Sequence, residues 1–353
     1  MDPVLAISFF VFGLAFGSFL NVCIHRLPRR ILLRDRQHDL LQQGEKLRTE
    51  APAEAIRELQ IGALDNQIRV LDAEIARASI VAPASACPSC KTPIHWYDNV
   101  PVVSWLVLRG RCRHCKSPIS PRYLAVEVLT GLLFVACYAR FGVTLSAAKY
   151  CALCFLLLGL IFTDAEHHLL PDGLTLSGLA IGLLFSLFVP VNDLLTLLLP
   201  GMVRLPLETS WRLLSLADAL AGAVVGASFI YGAGVLYLRA RGVEGMGFGD
   251  VKLMAMVGSF LGLRLTVFTM FGASLAGSLV GIVTVLSVWM KRTRRRMARN
   301  RETPAVARKR AWQSAKTMYR FYELPFGVFL GAMAMLALFF GNALLRWYWG
   351  LYL

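Results

Sequence analysis

Two aspartates lie at the edges of long apolar stretches, where a carboxylate is unexpected. Asp164 follows the apolar run Leu156–Thr163, and Asp250 ends the glycine-rich segment Gly245–Asp250 between two other apolar runs. An ionisable side chain near a bilayer boundary is costly and is retained mainly where it pairs, relays protons or does chemistry. We therefore expect Asp164 and Asp250 to meet as a pair.

Such a pair could hydrolyse a peptide bond. Two carboxylates at hydrogen-bonding distance cannot both ionise easily, so they share a proton over some range of pH. The ionised member can act as a base towards water while the protonated member polarises a peptide carbonyl. Gly247 and Gly249 lack a Cβ and would let a substrate backbone approach Asp250 closely. The spacing alone also fits two independent helix caps, or half of a proton-coupled transporter.

Four cysteines of a polar stretch have the spacing of a metal site. Cys87 and Cys90 form one Cys-x-x-Cys pair, and Cys112 and Cys115 form another after 21 intervening residues. Two such pairs suit a tetrahedral Zn²⁺ held by four thiolates, which leaves no open position and makes the zinc structural. Disulfides are the alternative, but the stretch follows a basic flank of cytoplasmic type, and cytosolic thiols stay reduced.

The composition is that of a protein that crosses a membrane several times. The chain has 353 residues, of which 56% are hydrophobic and only 17% are charged. The formal net charge of +15 would suit nucleic acid, but Lys and Arg are grouped in a few blocks between apolar runs. This grouping indicates membrane topology, and no nucleic-acid partner is expected. We predict an all-α polytopic membrane protein with about eight transmembrane helices.

The apolar runs predict three regions in chain order. Span 1 lies in residues 1–24, a cytoplasmic domain with a helical insert and the four cysteines occupies 25–122, and a catalytic bundle of spans 2–8 occupies 123–353. Within the bundle we expect an outer loop and a basic cytoplasmic linker, at 192–215 and 291–320. The later spans begin near residues 123, 147, 172, 217, 250, 265 and 324.

The basic residues orient these spans. Of the 37 Lys and Arg residues, 31 fall in segments assigned to the cytoplasmic side, as the positive-inside rule requires. This orientation places Asp164 and Asp250 at the cytoplasmic boundary and the C-terminus outside. The span that starts at Asp250 is short for a full crossing.

Four further features allow more than one interpretation. In the insert, 31–80, apolar residues from Ile61 to Ile75 recur at steps of three and four and predict an amphipathic helix. This helix either packs on its own domain or binds a partner as a coiled coil. The basic linker 291–320 suits anionic lipid better than nucleic acid. Glu127 is either neutral or paired with Lys252 or another base, and Asp172 either caps span 4 or serves the site.

Several segments together resemble the type 4 prepilin peptidase family, the prepilin leader peptidase/N-methyltransferases, which are intramembrane aspartic proteases of the Gly-x-Gly-Asp class. The matching stretches cover most of the chain in order: Gly17–Pro28, Cys87–Cys115, Arg122–Gly131, Asp164–Asp172, Glu244–Lys252 and Leu324–Gly327. The resemblance implies that Asp164 and Asp250 are catalytic and that the four cysteines bind zinc.

The same resemblance implies a substrate, a second reaction and a location. The substrates would be prepilins and pseudopilins, cut after a glycine on the cytoplasmic side of the bacterial inner membrane, with pilus or type II secretion components as partners. The new N-terminus would be methylated from S-adenosylmethionine. The sequence has no Rossmann-type glycine fingerprint for that cofactor, so its binding residues stay unassigned. The alternative is a non-enzymatic, zinc-containing membrane scaffold of a pilus or secretion machine.

Overall fold

The computed structural model describes residues 1–50, 54–81, 84–191, 207–242, 247–300, 303–320 and 324–350. The regular structure of these residues is helical apart from two isolated β-bridges. Their α-helices are α1 (Pro3–Glu50), α2 (Glu54–Arg77), α3 (Val103–Val107), α4 (Pro121–Phe141), α5 (Leu145–His167), α6 (Asp172–Ser186), α7 (Leu207–Arg241), α8 (Phe248–Asn300), α9 (Pro304–Arg320), α10 (Phe326–Leu336) and α11 (Asn342–Gly350). A π-helical turn, Ala337–Gly341, joins α10 to α11. The predicted all-α class is confirmed.

Six helical segments of the described residues are long and apolar enough to cross a membrane. They lie in α1, α4, α5, α7, α8 and the continuous segment Phe326–Tyr348. The expected count of eight is therefore not confirmed. Two differences account for it: α6 has only 15 residues, and the sixth and seventh predicted spans fall in the single element α8.

Within α8 the chain reverses direction at Gly262, whose φ of 76° is outside the helical region. A Cβ atom on Gly226 of α7 would lie 2.8 Å from the carbonyl oxygen of Met254 and 2.9 Å from Cγ2 of Thr266. Twelve residues of straight helix span about 18 Å, so both contacts are possible only if the chain folds back. The first arm of α8, before Gly262, and the second arm, after it, correspond to the two separate predicted runs.

The helical insert packs on the protein itself. Helix α1 does not stop at the predicted end of span 1, near residue 24, but continues through Pro28 to Glu50. Helix α2 includes the predicted amphipathic stretch and returns along α1, where Gln37 Nε2 donates to Asp72 Oδ1 at 2.6 Å. This arrangement is the helical hairpin, with α2 packed on the protein's own helix α1.

Two other predicted segments differ from the structure or lie partly outside it. Residues 192–206 of the expected outer loop lie outside the described residues, whereas 207–215 begin α7, so the end of that loop was placed wrongly. The error arose because few Lys and Arg indicate a side of the membrane but say nothing against a helix. In the described part of the basic linker, α9 packs on α8 through buried Ala307, Ala311 and Ala315.

The packing of α7 on α8 makes a stability prediction. A Cβ on Gly222 would lie 2.5 Å from the carbonyl oxygen of Gly258, so Gly222→Ala forces two backbones apart. We expect it to lower the stability of the protein by about 1–3 kcal/mol, measured as thermal unfolding in detergent. Gly232→Ala in the same helix is the control, because no atom lies within 4 Å of its Cβ position. Equal melting temperatures for the two variants would contradict the close approach.

Candidate functional site

Asp164 lies near the end of α5 with its carboxyl directed at the start of α10. The residue is only 6% exposed, and its Oδ2 accepts a hydrogen bond from the backbone N–H of Val328 at 3.0 Å. The helix ends three residues later, at His167, because the C-cap residue His168 adopts the left-handed conformation and its N–H bonds to the carbonyl of Asp164. The first turn of α10 exposes unpaired N–H groups that favour a carboxylate.

Asp250 lies in the first turn of α8 and is 8% exposed. Its N–H donates to the carbonyl oxygen of Gly247 at 3.1 Å. An acidic side chain in the first turn is the position that the helix dipole favours. Both carboxyl groups therefore lie at helix N-termini. Asp250 is in the first turn of its own helix, α8, whereas Asp164 comes from the C-terminal end of α5 and lies at the start of α10.

Leu170, in the turn between α5 and α6, links the two aspartates in space. A Cβ on Gly249 would lie 2.9 Å from the Cβ of Leu170, and one on Gly327 would lie 3.2 Å from Leu170 Cδ1 and 2.8 Å from Asp164 Oδ2. Gly249, next to Asp250, and Gly327, beside the Asp164 carboxyl, therefore pack against the same leucine. The fold thus brings the two aspartates together from residues 86 positions apart in the sequence.

The two glycines expected to admit a substrate have different surroundings. Among the described residues, a Cβ on Gly247 would meet nothing nearer than the Gly249 nitrogen at 3.9 Å. Gly249 instead packs against Leu170, where a side chain would collide. The preceding residues of the glycine-rich segment, 243–246, lie outside the described residues.

Several residues of the site were not singled out from the sequence. Leu170, Gly327 and Val328 contribute packing and a backbone N–H, which residue type alone does not reveal. Pro325 is the sequence feature that could have indicated the backbone donor. A proline just before an apolar run marks a helix start, and a helix start has free N–H groups.

Two of the polar residues left open by the sequence now have partners. Asp172 is the first residue of α6, after the N-cap residue Pro171, and makes no cap hydrogen bond. Its Oδ1 lies 2.6 Å from Lys252 Nζ. Because this pair is largely exposed, it contributes at most about 1 kcal/mol. Glu127 does not pair with Lys252: its Oε2 accepts the backbone N–H of Val102 at 2.8 Å.

The four predicted metal ligands converge outside the helical bundle. The sulfur atoms of Cys87, Cys90, Cys112 and Cys115 all lie within 4.8 Å of one another. The two Cys-x-x-Cys loops repeat the same geometry, since Cys87 N–H donates to Thr92 O at 3.0 Å and Cys112 N–H to Ser117 O at 2.9 Å. In each loop a lysine with positive φ follows directly after the second cysteine: Lys91 after Cys90, and Lys116 after Cys115.

The loops favour the thiolate form of two of the four cysteines, Cys87 and Cys115. The N–H groups of Cys90 and Ser89 lower the pKa of Cys87 to about 6. Hydrogen bonds from the Ser117 side chain and backbone lower the pKa of Cys115. Four converging soft donors suggest a zinc site, and they fit tetrahedral coordination with no open position.

Comparison with known proteins gives matches over both halves of the chain. The Bacterial Peptidase A24 N-terminal domain matches residues 11–141, and the Type IV leader peptidase family matches residues 151–282. No solved structure matches the chain significantly.

Curated relatives match nearly end to end. A protein of Aeromonas hydrophila is 32% identical over 96% of this chain and 92% of its own length. One from Burkholderia pseudomallei strain 1026b is 33% identical over 94% of this chain and 84% of its own, and one from Pseudomonas aeruginosa is 32% identical over 95% and 90%. Each is named prepilin leader peptidase/N-methyltransferase. A membrane-spanning helical chain with this likeness across its length belongs to the type IV leader peptidase family.

Proposed function

We propose that the protein is a prepilin leader peptidase that cuts the leader from type IV prepilins and pseudopilins with Asp164 and Asp250. The observation that supports this most strongly is the convergence of two buried aspartates, from α5 and α8, at one place in an apolar bundle. The names of the relatives indicate the same reaction. A non-enzymatic scaffold is not favoured, because two buried acids at one place in an apolar bundle are costly without a chemical role.

The reaction needs one ionised and one protonated aspartate. The ionised carboxylate takes a proton from a water molecule as that water attacks the scissile carbonyl carbon. The protonated carboxyl donates a hydrogen bond to the carbonyl oxygen and so stabilises the negative charge that develops there. The Val328 N–H donates to Oδ2 of Asp164 and fixes the position of that carboxyl. In this proposal the substrate backbone approaches Asp250 beside Gly247, which has no Cβ.

The membrane location of the reaction is also part of the proposal. We propose that the cysteine domain and both aspartates lie on the cytoplasmic side of the bacterial inner membrane and the C-terminus outside, and the distribution of the basic blocks supports this. A short basic leader would then meet the site without crossing the bilayer. The four cysteines would hold a structural zinc, which closes their domain and takes no part in hydrolysis.

N-methylation of the new N-terminus from S-adenosylmethionine completes the proposal and rests on the names of the relatives. The described residues contain no strand followed by a glycine-rich turn of the Rossmann type. No residue is assigned to this step, and pilus or secretion components remain proposed partners.

The catalytic assignment is tested by removing one carboxylate at a time. Asp164→Asn and Asp250→Asn should each reduce cleavage of a synthetic prepilin by at least about 10²–10⁴-fold, because an amide cannot serve as base or acid. Product masses give the readout, and circular dichroism checks the fold. Asp72→Asn, on the exposed surface of α2, is the matched control and should cleave normally. Wild-type rates in either site variant would reject the assignment.

The role of α10 in positioning Asp164 is tested with two glycines of that helix. Gly327→Ala places a Cβ 2.8 Å from Asp164 Oδ2, whereas Gly331→Ala places one 2.7 Å from Ile161 Cγ1, away from the carboxyl. Both should destabilise the contact of α10 with α5 to a similar extent. Only Gly327→Ala should lower kcat by tenfold or more. A similar loss of kcat in both variants would show that the contact is merely structural.

The metal proposal predicts about one zinc per purified chain, measured by elemental mass spectrometry. Cys87→Ser and Cys112→Ser should lose the metal and unfold the cysteine domain, because each removes one of the four thiolates. Cys23→Ala, which removes a buried thiol of α1, should keep the zinc. Wild-type protein that contains no zinc would refute the proposal.

A further inference from the structure

The short helix α3, between the two cysteine pairs, presents an apolar stripe to its surroundings. Val103, Leu106 and Val107 are 55%, 59% and 69% exposed. They are spaced i, i+3 and i+4, so they lie on one face of the helix. No residue of α3 is buried within the protein.

The opposite face of α3 makes the contacts with the cysteine domain. The Trp105 ring packs against Gly110, where a Cβ would lie 2.9 Å from Trp105 Cζ2. The Ser104 hydroxyl donates to the carbonyl of Tyr97 at 2.9 Å. The apolar stripe is therefore not the side that the domain uses for its own packing.

Glu127 sets the position of α3 relative to the membrane. Its carboxylate accepts the N–H of Val102, the N-cap residue of α3. Glu127 is the seventh residue of the membrane-spanning helix α4, about 9 Å along the axis from its first residue. The N-terminus of α3 therefore lies beside the second turn of α4, within that span and not beyond its end.

Val102 meets Glu127 in an unusual conformation. Its φ of 62° and ψ of −51° are rare for a β-branched residue, and such strain persists only where the surroundings hold it. The hydrogen bond from the Val102 N–H to the Glu127 carboxylate stabilises this conformation. Beyond α3, Arg109 and Arg111 are exposed and can reach phosphate groups at the bilayer surface.

We propose that α3 inserts Val103, Leu106 and Val107 into the surrounding bilayer at the level of the lipid headgroups, with Glu127 as the residue that fixes its depth. The occupant of the stripe is a phospholipid of that bilayer. The cysteine domain is then held to the membrane at two points, the Glu127 hydrogen bond and the lipid contact of α3. This proposal depends only on the chain crossing a membrane and is independent of the peptidase assignment.

Lipid contact can be measured by photo-crosslinking. The full-length protein carries p-benzoylphenylalanine in place of Leu106, Val107 or Val70, one at a time, in nanodiscs of phosphatidylethanolamine and phosphatidylglycerol. Val70 is the matched control, because it is an equally exposed valine, 61%, on the hairpin helix α2. After irradiation, mass spectrometry should find at least fivefold more lipid adduct at Leu106 and Val107 than at Val70.

Two outcomes of this measurement would overturn the lipid contact. One is an adduct yield at Leu106 and Val107 equal to that at Val70. The other is replacement of the lipid adduct by a peptide adduct when a synthetic prepilin is added, which would make the stripe a protein-docking surface.

The depth-setting role of Glu127 is measured in the same assay. Glu127→Ala should lower the lipid adduct at Val107 towards the Val70 level, because Val102 loses its acceptor. Glu127→Gln, which retains an acceptor oxygen, should preserve the adduct. Unchanged labelling in a folded Glu127→Ala protein, or equal loss in both variants, would overturn this role.

Discussion

The burial of two carboxyl groups in one apolar bundle is the constraint on which the rest of the structure depends. Asp164 and Asp250 are both less than a tenth exposed, and a charge in such surroundings is costly unless it is paired or hydrogen-bonded. Three helices meet at these carboxyl groups. Helix α5 carries Asp164, α8 carries Asp250, and α10 donates the Val328 N–H to the Asp164 carboxyl.

Close helix packing makes this meeting possible. The reversal of α8 at Gly262 returns the chain beside its own first arm, so that α8 contacts both α7 and α10. Small residues at the crossings let backbones approach in the absence of a strong hydrophobic drive between helices in lipid. Gly222 approaches the backbone of Gly258 and of Gly262 at the reversal, and Gly327 approaches Asp164 at the site. The stability of the bundle and the alignment of the two aspartates therefore depend on the same type of contact.

The sequence predicts the parts of this protein that depend on residue type and spacing. The apolar runs predict the helical class, and the Cys-x-x-Cys pairs predict the thiol cluster. The two acids at the edges of apolar runs predict that Asp164 and Asp250 lie near each other. Spacing could not show that α1 continues to Glu50, because helix length there depends on packing against α2. Nor could it assign Glu127 to the N–H of Val102, because backbone donors carry no residue signature.

The most direct test of the central claim, a proton-sharing aspartate pair, is the pH dependence of kcat/KM for cleavage of a synthetic prepilin by the purified protein in nanodiscs. If one aspartate must be ionised and the other protonated, the profile should be bell-shaped, with the rate falling on both the acid and the alkaline side. A rate that rises with pH to a plateau and stays there would mean that a single base is sufficient. That result would contradict a catalytic pair formed by Asp164 and Asp250.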